Sequence, residues 1–376
     1  MIFGSPMPQK LRSRVKKILV VAVPGMGDAL LATPLISSLQ SAFPDAAIDI
    51  LVRSGRESIV EDCPHIQKVI SFNYRSRIFS YLEMVYRLFR KYDLAVSTSD
   101  SDRSTLSCFY AAPYRIGVVP KWRIGNFWKR LFWHGFIETD PHLHMVTQNL
   151  LLSQSLGIEP LVKFLVPRAL PLDRRLKVSR SKPLAVLHCY SRGNFKRWEE
   201  DRWEQVIHSL IAEERQVVLS YGPSEDERDS AARLSQRFQE GVISLPTVLP
   251  FGQIVSLLQM AELFIGVDTS VTHLAAVLGV PTVAIYGYSN SRKWSPWPAS
   301  HREMDSPFPG EPGVYFRGNV CLMKGECVCP GFLERCLHSS DGTMIRCLRS
   351  INAHQVIDAA KRIRKVSERK CVNPNP

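Results

Sequence analysis

No stretch of the sequence approaches 18 consecutive apolar residues, so no membrane-spanning helix is expected. Residues 1–17 are basic but have no apolar core of signal-peptide length, which points to the cytoplasm. Acidic residues are in short supply. The 35 Asp and Glu stand against 48 Lys and Arg, for a formal net charge of +13. That excess favours an anionic partner: nucleic acid, an acidic lipid surface or a phosphorylated substrate. No RNA- or DNA-binding signature appears, so nucleic acid is not expected. Cysteine is sparse and odd in number: nine, of which five fall between Cys321 and Cys347. In a reducing compartment these are thiols or a metal site rather than disulfides. Their irregular spacing, beginning with Cys327-x-Cys329, fits poorly with the pairs two to four residues apart that zinc prefers.

A third glycine is also missing. Gly25-x-Gly27-x-x-Leu30 follows an apolar strand but ends on Leu where the dinucleotide fingerprint has Gly. Arg53 rather than an acid follows the next strand, Ile48 to Val52, which disfavours NAD though not NADP. No Asp-x-Asp metal-diphosphate motif is obvious. Asp100-Ser101-Asp102 has the letters but reads as a solvated turn.

What is present is alternation. With 376 residues and ordinary hydrophobic content, two domains are expected. Strands at Lys17–Val23, Ile48–Val52, Lys68–Phe72, Asp93–Ser97 and Tyr114–Val118 alternate with helices at Arg56–Asp62, Arg77–Lys91 and Arg103–Ala112. That is a doubly wound parallel pattern. Pro34 should kink or delay the helix after the first strand. A Pro-rich basic stretch, residues 166–182, reads as a linker. The pattern then restarts with a strand at Leu184–Cys189 and a helix at Glu200–Glu213. Two segments are basic and aromatic. Residues 77–92 read as a helix packing its apolar face inward. Residues 121–136 carry six aromatic rings and suit either a headgroup-level surface or ordinary packing.

Residues 261–287 carry the densest signal. Leu263 to Val267 is a buried strand. Asp268, Thr269 and Ser270 are good N-cap residues, and a helix over Thr272–Leu278 ends at Gly279 with Pro281 beyond. A helix N-terminus suits a phosphate. Asp268 would repel one, so it holds the loop or bonds a sugar hydroxyl. The plainer reading is that Asp268 to Ser270 only cap the helix and His273 only packs on the sheet.

Asp268-Thr269-Ser270-x-x-His273-Leu-Ala-Ala-x-Leu-Gly279-x-Pro281-Thr resembles the donor-site signature of glycosyltransferase family 9, the bacterial heptosyltransferases of lipopolysaccharide core synthesis. The family usually has Gly at the place of Ser270. Gly25-Met-Gly27-Asp28 resembles the family's glycine-rich turn, and Lys196-Arg197-Trp198 matches its Lys-x-Trp loop. The likeness covers most of residues 17–365. It implies the GT-B fold, two Rossmann-like doubly wound domains facing a cleft, with residues 1–172 on the acceptor side and 173–376 binding the nucleotide sugar. It implies an inverting, cofactor-free and metal-independent transfer from a nucleotide-diphospho-sugar, most often ADP-heptose, to a lipid-anchored phosphorylated saccharide at an anionic inner-membrane surface. By the same resemblance Asp28 is the catalytic base, and Gly27, Ser191, Lys196, Asp268, Thr269, Ser270 and His273 bind the donor, Lys196 at its diphosphate. The bland alternatives are that Asp28 caps a helix and Lys196 is a solvated surface group. An NADP-dependent oxidoreductase and a non-catalytic sugar-nucleotide-binding module are the competing functions.

Overall fold

A computed structural model describes residues 2–4, 6–23, 25–73, 78–192, 194–326 and 346–372. The chain packs as two units. One is Met1–Arg168 with Arg302–Asp305, and the other is Ala169–His301 with Ser306–Pro376.

The strands of the first unit are β1 (Ile2–Gly4), β2 (Lys17–Val21), β3 (Ala47–Arg53), β4 (Lys68–Phe72), β5 (Leu94–Ser97), β6 (Tyr114–Val119) and β7 (Gly135–Glu138). They form one sheet in the order β1-β7-β6-β5-β2-β3-β4. Every pairing is parallel except β1 with β7. The chain runs outward from β2 through β3 and β4, then returns to β5 on the other side. The strand order therefore reverses between β2 and β5, and in open α/β sheets ligands bind beyond the carboxyl ends of the strands at such a point. Leu19, Val21, Leu51 and Ala95 from these strands bury against Met84, Leu88, Cys108 and Ala111 from the helices Ile78–Leu88 and Asp102–Ala111.

The second unit repeats the plan. Its strands are β8 (Leu184–His188), β9 (Gln216–Ser220), β10 (Val242–Ser244), β11 (Leu263–Val267), β12 (Thr282–Tyr286), β13 (Gly313–Arg317) and β14 (Val320–Lys324). Their order is β10-β9-β8-β11-β12-β14-β13, parallel but for the β13–β14 hairpin. Here the order reverses between β8 and β11.

Pro34 acts as its chemistry requires. The expected helix is cut into Met26–Leu31 and Thr33–Ala42. Proline has no N–H to give the carbonyl of Leu30, so the Thr33 hydroxyl donates to that oxygen at 2.7 Å, and the Asn149 amide donates to Leu31 O at 2.9 Å.

Several expectations are corrected. The helix expected at Arg56–Asp62 is a single 3₁₀ turn, Glu57–Ile59. The antiparallel edge strands β1 and β13 were not foreseen, and β7 begins at the end of the aromatic segment. Asp100-Ser101-Asp102 is not merely a solvated turn. Ser101 caps the helix Asp102–Ala111, and Asp102 pairs with Lys129 at 2.6 Å. Within residues 121–136, Trp133 is core and its ring lies against Gly117, where a Cβ would meet it at 2.6 Å. Lys129 is buried, and Arg130 pairs with Glu138 at 2.6 Å and donates to Pro120 O. These two cations hold the unit's own fold, while Trp122, Phe127 and Leu131 stay exposed. Cys321 and Cys347 are buried; Cys327, Cys329 and Cys336 lie outside the described residues.

Candidate functional site

In the second unit the site begins with β11. Its residues are all buried, and Gly266 lets the following helix sit close: a Cβ there would meet Thr272 Oγ1 at 2.9 Å and the Phe264 ring at 2.8 Å. The helix runs Ser270–Val277, starting two residues earlier than expected because Thr269 alone is the N-cap, its hydroxyl accepting from Thr272 N–H. Ser270 is the first helical residue. The helix ends as the sequence expects. Gly279 has φ +84°, its N–H reaches Ala276 O, and Val280 N–H reaches Ala275 O, the paired bonds of a Schellman stop.

Asp268 precedes the cap and does not cap. Its Oδ2 lies 2.6 Å from Lys196 Nζ and accepts from the Ser289 hydroxyl at 2.6 Å. One carboxylate thus ties together the loops after β8, β11 and β12. Burial alone would raise its pKa. The Lys196 ammonium, His273 and the hydrogen bonds from Lys196 and Ser289 outweigh burial and hold it below the usual carboxylate value. His273 is buried one helical turn on, and its Nδ1 has no hydrogen-bond partner among the described residues. Burial, offset in part by Asp268, pushes its pKa down to about 4, so the ring is neutral near pH 7.

Lys196 is held from behind. It ends the 3₁₀ turn Asn194–Lys196. Arg197 donates to Ser191 O at 3.1 Å and pairs with Asp226. Trp198 is buried, stacks edge-on with Trp203 and donates to Ile351 O at 2.9 Å. The tryptophan of the Lys-x-Trp pattern is therefore an anchor, and the lysine is about a quarter exposed rather than fully solvated. Ser191, assigned to the donor on resemblance, contributes its backbone carbonyl to Arg197.

Three participants escaped sequence reasoning. Lys324, at the end of β14, is buried and donates to Gly287 O and to Ser289 O, the latter at 2.9 Å, fixing the loop that carries Ser289. Glu227 is buried and accepts from Gly222 N–H at 2.8 Å, tying the loop after β9. Burial raises its pKa, and Gly222 N–H and Arg197 partly offset that. His188, at the end of β8, is held to Ser220 Oγ at 2.8 Å and is pushed down to about 4 by burial. Lys324 and His188 reach partners far along the chain, and Glu227 turns back from its helix to the loop five residues before it.

The first unit carries Asp28. Gly25 is the N-cap of the helix Met26–Leu31, Gly27 is its second residue and Asp28 its third, where a carboxylate complements the helix dipole. The Asp28 carboxylate folds back over Gly25, and Arg56 Nη1 approaches the same place: a Cβ on Gly25 would run into Asp28 Oδ2 and meet Arg56 at 3.4 Å. The side chain is partly exposed, and the turn lies at the carboxyl end of β2, beside the reversal in strand order. The structure brings Lys196, Asp268 and His273 together in one unit and sets Asp28 at the matching position of the other.

A family model described as glycosyltransferase family 9 (heptosyltransferase) matches residues 82–313. Lipopolysaccharide heptosyltransferase 3 of Escherichia coli is 28% identical over 285 residues, 72% of this chain and 83% of its own length. Lipopolysaccharide heptosyltransferase 2 of Salmonella typhimurium is 26% identical over 314 residues, 76% of this chain and 86% of its own. Among solved structures, a family 9 glycosyl transferase from Veillonella parvula aligns with a TM-score of 0.76 at 17% identity, covering 96% of this chain and all of that one. An Escherichia coli heptosyltransferase solved with ADP aligns at 0.69 and 19% identity, covering 92% and 99%. These alignments share the two-unit Rossmann-like architecture of the GT-B class.

Proposed function

The chain belongs to glycosyltransferase family 9, and from that premise we propose that it transfers heptose from ADP-heptose to a lipopolysaccharide core acceptor with inversion at the anomeric carbon. The observation that carries the reading is the Lys196–Asp268–Ser289 network, which sets a cation at the reversal of strand order in the second unit. Curated relatives named as lipopolysaccharide heptosyltransferases match most of the chain, and the names of solved neighbours include ADP and ADP-heptose analogues.

In this reading the acceptor hydroxyl attacks the anomeric carbon as the bond to the diphosphate breaks. Asp28 takes the hydroxyl proton. The leaving diphosphate gains charge, and Lys196 balances it; Asp268 aims that ammonium rather than touching phosphate. Thr269 and Ser270 offer backbone N–H groups of the helix start, and His273 stays neutral beside them. Gly27 and Ser191 complete the donor loops. No metal is needed, and Asp102, the last carboxylate of the one Asp-x-Asp sequence considered, is already paired with Lys129.

The acceptor is lipid-anchored and phosphorylated. No helix among the described residues is long and apolar enough to cross a membrane. The +13 charge supports attraction to an anionic inner-membrane surface from the cytoplasmic side. Thermal shifts with a panel of nucleotide sugars test the donor: ADP-heptose should stabilise the protein most. A larger shift with NADP or with a uridine-diphosphate sugar would overturn the assignment.

A further inference from the structure

On the first unit, the amino-terminal ends of β2, β3 and β4 and the end of the helix Ile78–Leu88 enclose a cavity of about 370 Å³. It lies at the opposite edge of the sheet from Asp28. Lys17, Lys68, Arg87 and Lys91 line it. Two carboxylates stand nearby. Glu83 is paired with Arg87 at 2.6 Å. Asp49 accepts from the Tyr92 hydroxyl at 2.8 Å through Oδ2, while its Oδ1 is buried without a hydrogen-bond partner among the described residues. Lys17, Lys68 and Lys91 form no ion pair among the described residues, so the cavity keeps a surplus of positive charge. That surplus fits a phosphate ester, whose charge the lysines take.

The helix beside the cavity packs an apolar face inward, as its sequence suggests, and carries a second apolar face outward. Met84 and Leu88 are buried, but Leu82, Tyr86 and Phe89 are 55%, 80% and 58% exposed. Spacings of four and three residues put these three on one outer face. Arg90 N–H donates to Tyr110 O at 2.9 Å, which sets this face next to Phe109, itself 40% exposed. Lys91 Nζ lies 5.7 Å from the centre of the Tyr86 ring, so the apolar face runs up to the cationic rim. Apolar side chains flanking a cationic cavity match an interface where charge and hydrocarbon meet.

We propose that this cavity takes the phosphate headgroup of an anionic glycerophospholipid while Leu82, Tyr86 and Phe89 enter the bilayer surface. The inference rests on the membrane part of the reading above and not on the transfer chemistry. It also moves the contact from residues 121–136, whose Lys129 and Arg130 are already engaged, to the helix 78–88 and the strand ends beneath it.

The full-length protein is tested by flotation with phosphatidylcholine vesicles, with and without phosphatidylglycerol, at low and high salt. Wild type should float with the anionic vesicles only, and less so in salt. Lys68→Gln with Lys91→Gln should weaken binding about thirtyfold at low salt, since each basic residue near an anionic surface contributes roughly fivefold. Leu82→Ser with Tyr86→Ser and Phe89→Ser, all at exposed positions, should weaken it by at least as much. ADP affinity should be unchanged in both variants, showing that they are folded. Wild-type binding shared equally by both variants would overturn this site and leave the membrane reading standing. Failure of wild type to float with anionic vesicles would overturn both. Calorimetric binding of soluble glycerol phosphate by a wild type that ignores vesicles would assign the cavity to a free phosphate and overturn the lipid.

Discussion

The turn after β2 and the turn after β11 both run strand, short turn, helix, yet they use their carboxylates in opposite ways. Asp28 sits inside the first turn of a six-residue helix, partly exposed, folded over a glycine. Asp268 sits before its helix, buried, clamped by Lys196 and Ser289. A carboxylate that must receive a proton has to be reachable. One that must hold an ammonium in place has to be shut in and kept charged. In the proposed reading the same local motif supplies both, and tertiary packing decides which.

The most damaging way to break the comparison is at the reachable carboxylate. Asp28→Asn should lower kcat by roughly 10²- to 10⁴-fold, the usual contribution of a general base, with ADP affinity unchanged. Steady-state kinetics beside calorimetry check this. Near-normal turnover would remove Asp28 from the chemistry.

Acid sharpens the contrast next. His188 and His273 stay neutral in the fold down to about pH 4, whereas an unfolded imidazole takes a proton near 6.5. The unfolded chain therefore binds more protons in that window, and stability should fall by a few kcal/mol as pH drops from about 6.5 to 4. The Asp268 carboxyl, held low, adds a loss only below its ordinary value of 3.8. Urea unfolding of wild type and His273→Asn at several pH values reads this, the variant giving the shallower slope.

Breaking the clamp comes third. Asp268→Asn removes the carboxylate that faces the Lys196 ammonium. The cost should be about 2 kcal/mol, less than for a fully buried pair because Lys196 is partly exposed. A midpoint shift in denaturant without a change in slope would show it; unchanged stability would mean the pair is incidental. Smallest is Lys196→Ala, which should weaken ADP roughly tenfold, or about 1.4 kcal/mol. Unchanged affinity would place the diphosphate elsewhere.

Much of this was legible in the residues themselves. Leu263–Val267, Thr269, Gly279 and Pro281 specify strand, cap and stop through short-range chemistry, and β4 and β11 fall where their apolar runs lie. Pro34 announces a broken helix. What was not legible depends on partners far along the chain. Lys129 looks like a surface cation until Asp102 is beside it, and Lys324 until it meets the carbonyls of Gly287 and Ser289. Asp268 looks like a cap until Lys196 claims it. The edge strands β1 and β13 are short, and neither shows the alternation of a half-buried strand. They owe their form to the antiparallel neighbour each one finds.

The central claim is heptose transfer from ADP-heptose. Its most direct measurement is incubation of the purified protein with ADP-heptose and heptose-acceptor lipopolysaccharide, reading acceptor mass and released nucleotide together. The expected result is one added heptose per acceptor with one ADP released. An unchanged acceptor with ADP-heptose, alongside a mass gain with a different nucleotide sugar under the same conditions, would contradict it.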